Sequence, residues 1–199
     1  RFTSGFGQTT TLVMTGEPEK ALGLAQRLTD LAQRRQPGRA IGEVLIADAL
    51  IAAGELPRAV TLLREAAATL APTGYSWGPL AWMLLAQALG QLGQTVEAGK
   101  ALSRAESRHG LKSMLFAPEL ALARAWTMAA RRDDHGAVAA AREAVKAAER
   151  GGQTAVALRA SLDGVRLGDP RAGESLKRLS GEVDCAFGRE ALAKAVDRG

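Results

Sequence analysis

The chain contains one cysteine, two histidines, no asparagine and only 4% aromatic residues in 199 positions. A single thiol, Cys185, cannot close an internal disulfide, which fits a reducing cytoplasm. It has no CxxC partner, and the adjacent Asp184 disfavours a thiolate, so reactivity is not expected of it. His109 stands just before Gly110 at a predicted helix end and His135 at a predicted helix entrance, positions that suit capping or surface residues. No GxxxxGK[ST] phosphate loop occurs, and no stretch alternates polar and apolar residues well enough to supply a strand. These absences remove the usual catalytic constellations, metal-ligand sets and cofactor sites, so the expectation is no enzyme, no metal and no cofactor. No apolar run approaches the roughly 18–20 residues needed to cross a bilayer, so no membrane partner is expected.

What the sequence does have is a corner. From Ala49 to Ala68 an amphipathic helix runs into Gly54 and a second one begins at Pro57. Glycine tolerates the left-handed backbone that closes a helix, and proline fits the first turn of the next. Beyond the corner, Ala59, Leu62, Leu63, Ala66 and Leu70 return at helical spacing and define one buried face. Related corners lie at residues 15–21, 92–98, 131–137 and 167–172. Their register alanines, Ala21, Ala59, Ala98, Ala137 and Ala172, are separated by 38, 39, 39 and 35 residues. Such a period indicates stacked helical hairpins. Small residues also recur at Ala47, Ala86 and Ala125 in the first helices and at Ala66, Ala105 and Ala144 in the second, where helices must approach closely.

The predicted fold class is therefore all-α: a right-handed superhelical array of helical hairpins, with about eleven helices in five hairpins plus a final single helix. Arg1 to Thr15 is rich in Thr and Gly, poor helix formers, so the regularity weakens at the first helix of the first pair. Residues 155–167, 171–179 and 186–196 read as three shorter helices, punctuated at Gly151-Gly152, Gly168-Asp169-Pro170 and Gly181. The chain begins with Arg1 and shows no signal-peptide pattern, so the whole of residues 1–199 reads as one repeat domain cut from a larger cytoplasmic protein. Stacking surfaces left bare at the ends of such a segment also permit self-association.

The net charge of +5 raises the question of nucleic acid, but Lys and Arg mostly alternate with Glu and Asp instead of forming a stripe. Arg34-Arg35 and Arg131-Arg132 fall at predicted helix C-termini, where the helix dipole favours cations. No direct nucleic-acid contact is expected.

In a hairpin array the first helices line the concave surface, which commonly binds the partner. Counting three, six and ten residues back from Gly54 gives Ile51, Asp48 and Val44. The same offsets give Gly90, Gln87 and Met83 from Gly93, and Ala129, Trp126 and Leu122 from Arg132. Asp48, Gln87 and Trp126 are thus predicted side by side, with Gln91 and Glu119 near the row and Met83 one turn away. An acid and an amide beside an indole suit a small polar ligand or a peptide. Asp48 interrupts the apolar run Ile46–Leu50, where solvent alone gives little reason for an acid; the alternative is a solvated Asp48 and a space-filling Trp126. Of the aromatics between Pro72 and Trp82, Trp82 is expected in the core, while Tyr75 and Trp77 suit either a groove rim or a core plug.

The corner Ala-Ala-Gly-Glu-Leu-Pro-Arg-Ala with a period near 39 resembles the long tetratricopeptide-like repeats of MalT-like, LuxR-type transcriptional regulators. The passage Arg166-Leu167-Gly168-Asp169-Pro170-Arg171-Ala172, followed by Leu176–Leu179 and Glu182-Val183-Asp184, is similar to the same region of large actinobacterial members. The resemblance implies repeats that sense a small-molecule effector or a regulatory protein and relay it to a nucleotide-binding switch domain and a helix-turn-helix domain. Neither flanking domain has its motifs here. The rival expectation is a stand-alone adaptor that holds a partner's peptide. Tetratricopeptide adaptors that clamp a terminal carboxylate use asparagines and lysines, and the lack of asparagine disfavours that mode.

Overall fold

The computed structural model describes residues 2–32, 36–183, 185–186, 188–190 and 193. Among them it shows ten α-helices and one 3₁₀ helix, with no strand. The helices are α1 (Phe2–Met14), α2 (Pro18–Leu31), α3 (Gln36–Ala52), α4 (Leu56–Leu70), α5 (Trp77–Gln91), α6 (Thr95–Arg108), α7 (Ala117–Ala130), α8 (Asp134–Arg150), α9 (Thr154–Arg166) and α10 (Ala172–Glu182). They pair as five successive hairpins, as the period of the corners requires. Most of the expected final helix, together with Arg34-Arg35 and Asp184, lies outside the described residues; the described positions 186, 188–190 and 193 are helical.

The corners are built alike. Gly54 adopts φ +81°, its N–H bonds to the Ile51 carbonyl at 3.0 Å, and the Glu55 N–H reaches the Leu50 carbonyl at 2.9 Å. This pair of bonds satisfies two carbonyls orphaned at the helix end. The same pair recurs around Gly16, Gly93, Arg132 and Gly168, and again around Gly152 between α8 and α9. Arg132 holds φ +63° without being glycine, alone among the described non-glycine residues. Asp133 beside it accepts a hydrogen bond from the Gly136 N–H at 2.9 Å, capping the start of α8.

The two helices of a hairpin are buried differently. In α3 every residue from Ala40 to Leu50 is buried, and in α5 every residue from Gly78 to Gly90. The second helices bury one stripe, such as Ala98, Ala101 and Ala105 of α6. A layer of first helices is therefore packed between the second helices and the inside of the curve. The recurring alanines 47, 86 and 125 and 66, 105 and 144 are fully enclosed. Gly90 makes the closest approach to another helix's backbone among the described glycines: a Cβ there would stand 2.6 Å from the Trp126 carbonyl oxygen, so α5 and α7 meet backbone to backbone. Trp82 lies in the main core, with the Arg104 guanidinium 4.7 Å from its ring centre.

Two features depart from simple stacking. A 3₁₀ turn over Leu111–Phe116 intervenes between α6 and α7; it buries Phe116 but leaves Leu111, Met114 and Leu115 exposed. His109 caps α6 there, with Nδ1 2.9 Å from Ser113 Oγ, and its partial burial and Arg124 hold its pKa below the ordinary histidine value. The curvature is also tight enough for the ends to meet. Phe6 of α1 makes edge contacts with Trp77 at 5.7 Å and Phe116 at 5.9 Å, so Trp77 is a plug while Tyr75 stays exposed. Met14, at the end of α1, packs with Leu158 of α9 and Leu176 of α10. Burial of Val13 and Met14 outweighs the poor helix propensity of α1.

Candidate functional site

All five first helices converge on one interior cavity of about 90 Å³, space for a few water-sized groups. Phe6 comes from α1, Asp48 and Ile51 from α3, Gln87 and Gln91 from α5, Glu119 and Leu122 from α7, and Arg159, Asp163 and Arg166 from α9. Asp48 and Gln87 from the corner-offset count line this surface, together with Gln91 and Glu119, which were expected near that row. Met83 is fully buried in the core instead, because α5 is covered on nearly every side. Trp126 is buried and reaches the site through Arg166, whose guanidinium lies 4.8 Å from the indole centre.

Asp48 is not solvated. Both its carboxylate oxygens accept hydrogen bonds from Arg159, Oδ1 from Nη2 at 3.1 Å and Oδ2 from Nη1 at 3.4 Å, across 111 residues of chain. Asp48 is 5% exposed and Arg159 23% at the side chain, so the pair is largely withdrawn from water and holds the Arg159 guanidinium firmly in its charged form. Arg166 donates to Asp163 Oδ1 at 3.0 Å and to Gln91 Oε1 at 2.8 Å. Residues 159, 163 and 166 fall on one face of α9 because positions four and three apart are stacked along a helix.

Glu119 has no such partner. Gln87 Nε2 donates to its backbone carbonyl at 2.9 Å, but its side-chain Oε2 is sealed from solvent with no hydrogen bond. Burial pushes the Glu119 carboxyl up to about 7, against the opposing pull of its own backbone N–H and of Arg159. Burial also raises Asp163, only partly offset by Arg166. The enclosed Trp126 Nε1–H is directed at the Asp163 carboxylate and favours its charged form, though short of normal hydrogen-bond geometry. The inner face therefore gathers carboxylates, amide oxygens and an indole face around two guanidinium groups, Arg159 largely withdrawn from water and Arg166 at the exposed edge.

Sequence reasoning missed the three residues of α9. The signal was present in the Arg159, Asp163, Arg166 spacing, but only closure of the array shows that this face meets Asp48. Among the described residues no helix is long and apolar enough to cross a membrane, and no group of three His, Cys, Asp or Glu side chains is placed to hold a metal.

No protein-family model matches the chain, and no curated protein matches it. Solved structures do. A kinesin light chain-like protein of Podosopora anserina with nearly identical TPR-like repeats superimposes with a TM-score of 0.53 and 19% identity, covering 98% of this chain and 96% of that one. A single-substitution variant of it gives 0.53 and 20%, covering 100% and 97%. At that identity the likeness speaks for architecture alone: the chain has the fold of TPR-like, that is tetratricopeptide-like, repeat proteins.

Proposed function

We propose that the chain is the sensing domain of a larger cytoplasmic regulator of the MalT-like, LuxR type, in which binding of an effector or regulatory protein to the inner face changes the curvature of the array. The observation that carries this reading is the Asp48–Arg159 pair, which joins the second hairpin to the fifth across the cavity. A ligand that competes for either partner loosens the closure, and small rotations between neighbouring hairpins add along the array. The fold itself supports a protein-interaction role, the broader half of the reading. The test is the gene on both sides of this segment. A phosphate-loop domain upstream and a helix-turn-helix downstream are expected; a reading frame without them transfers the assignment to an adaptor.

The adaptor reading has one observation in its favour. Leu111, Met114 and Leu115 project from the turn before α7 and Tyr75 from the preceding connection, all more than half exposed. Partner capture at that edge, unaffected by substitutions in the cavity, distinguishes it from sensing at the inner face.

A further inference from the structure

The inner cavity is one positive charge short. Three carboxylates line it, Asp48, Glu119 and Asp163, against two guanidinium groups, Arg159 and Arg166. Helices α1 and α5 add no ionisable group to the lining, only Phe6, apolar side chains and the amides Gln87 and Gln91. Asp48 is matched by Arg159 and Asp163 by Arg166, which leaves Glu119 over, with Oε2 enclosed and unpartnered. A carboxylate with one oxygen enclosed and no cation paired to it is costly to ionise, so it is stable when protonated or when a cation donates to it.

We propose that the cavity binds a small organic cation, an ammonium or guanidinium headgroup, that donates hydrogen bonds to the Glu119 carboxylate. The lining already performs this recognition twice on its own arginines, through carboxylate and amide oxygens and, for Arg166, the Trp126 face. The three carboxylates do not converge as a metal-ligand set, and a volume of about 90 Å³ admits a headgroup and not a folded peptide. The cation replaces the proton on Glu119, so binding releases that proton. This inference rests on the inner face being the sensing site and names the chemistry of what it senses.

The test is calorimetric titration of the chain at about pH 6, where Glu119 is mainly protonated, with ethylammonium and methylguanidinium chloride. Tetramethylammonium chloride carries the same charge without an N–H donor and serves as the control. The expected result is saturable binding of the first two, release of close to one proton per cation across buffers of different ionisation enthalpy, and no response to the third. Glu119→Gln is expected to weaken binding at least about tenfold with the fold retained, since the site already accommodates a neutral carboxyl. Equal binding of tetramethylammonium, binding without proton release, or no binding at all overturns the proposal. If Glu119→Gln does not fold, proton release by the unaltered chain decides the matter. Failure here leaves the sensing reading intact, because that reading is decided by the flanking gene sequence.

Discussion

The inner and outer faces of the array handle charge in opposite ways. Outside, most charges are exposed and pair within a helix or with the next hairpin: Lys146 with Glu143, Arg58 with Glu55, Arg64 with Glu97; an exception is the enclosed Asp169, which pairs with Arg142. Such pairs gain little over hydration and contribute about 0–1 kcal/mol. Inside, Asp48 and Arg159 are withdrawn from water and come from opposite sides of the cavity. There the pair is stabilising only while it is complete, because either partner alone is a buried, uncompensated charge. The outer charges keep each helix in solvent, whereas the inner ones report on whether the array is closed.

The sharpest way to break the contrast is Asp48→Ala, which strands the Arg159 guanidinium. A loss of about 3 kcal/mol is expected in urea unfolding, and the double variant Asp48→Ala/Arg159→Met is expected to recover part of it. Next comes pH. Glu119 titrates near 7 in the fold, above its ordinary 4.5, so the folded chain binds more protons than the unfolded one between those values. Its contribution is therefore most favourable below about pH 4.5 and declines as pH rises towards 7, by on the order of 2–3 kcal/mol. Stability curves of the native chain and of Glu119→Gln, measured from pH 5 to about 8, are expected to diverge in that sense, the variant being flatter. Gly90→Ala places a methyl group against the Trp126 carbonyl and is expected to cost about 1–3 kcal/mol by forcing α5 from α7. Least is expected of Arg64→Ala on the outer face, within about 0.5 kcal/mol in the same unfolding assay.

The hairpins could be read from the chain because their determinants are local. A glycine that must adopt positive φ, a proline in the next turn and an alanine at each close crossing all declare themselves within about twenty residues, as Gly54, Pro57 and Ala66 do. Even Arg132 was identifiable as a corner without glycine, since its neighbours kept the register. The site was only half legible. Asp48 stood out as an acid inside an apolar run, but its partner lies 111 residues away, and although Arg159, Asp163 and Arg166 share one helix face, nothing local to them says that this face meets Asp48. The fate of Phe6 and Trp77 depended on the same closure. Met83 was misplaced because a fixed offset from the corner ignores how fully α5 is covered.

The meeting of α1 with the last hairpin has a kinetic consequence. A linear repeat array frays from its ends, each hairpin leaving at the cost of one interface. Here Met14 packs with Leu158 and Leu176 and Phe6 reaches Phe116, so neither terminal hairpin detaches without also breaking a contact far away in sequence. These contacts impose a long loop closure on folding, which slows it relative to an open array of equal length. In return, unfolding is expected to be a single concerted event with little amide exchange from the ends, and severing the closure restores the stepwise unravelling of an ordinary solenoid.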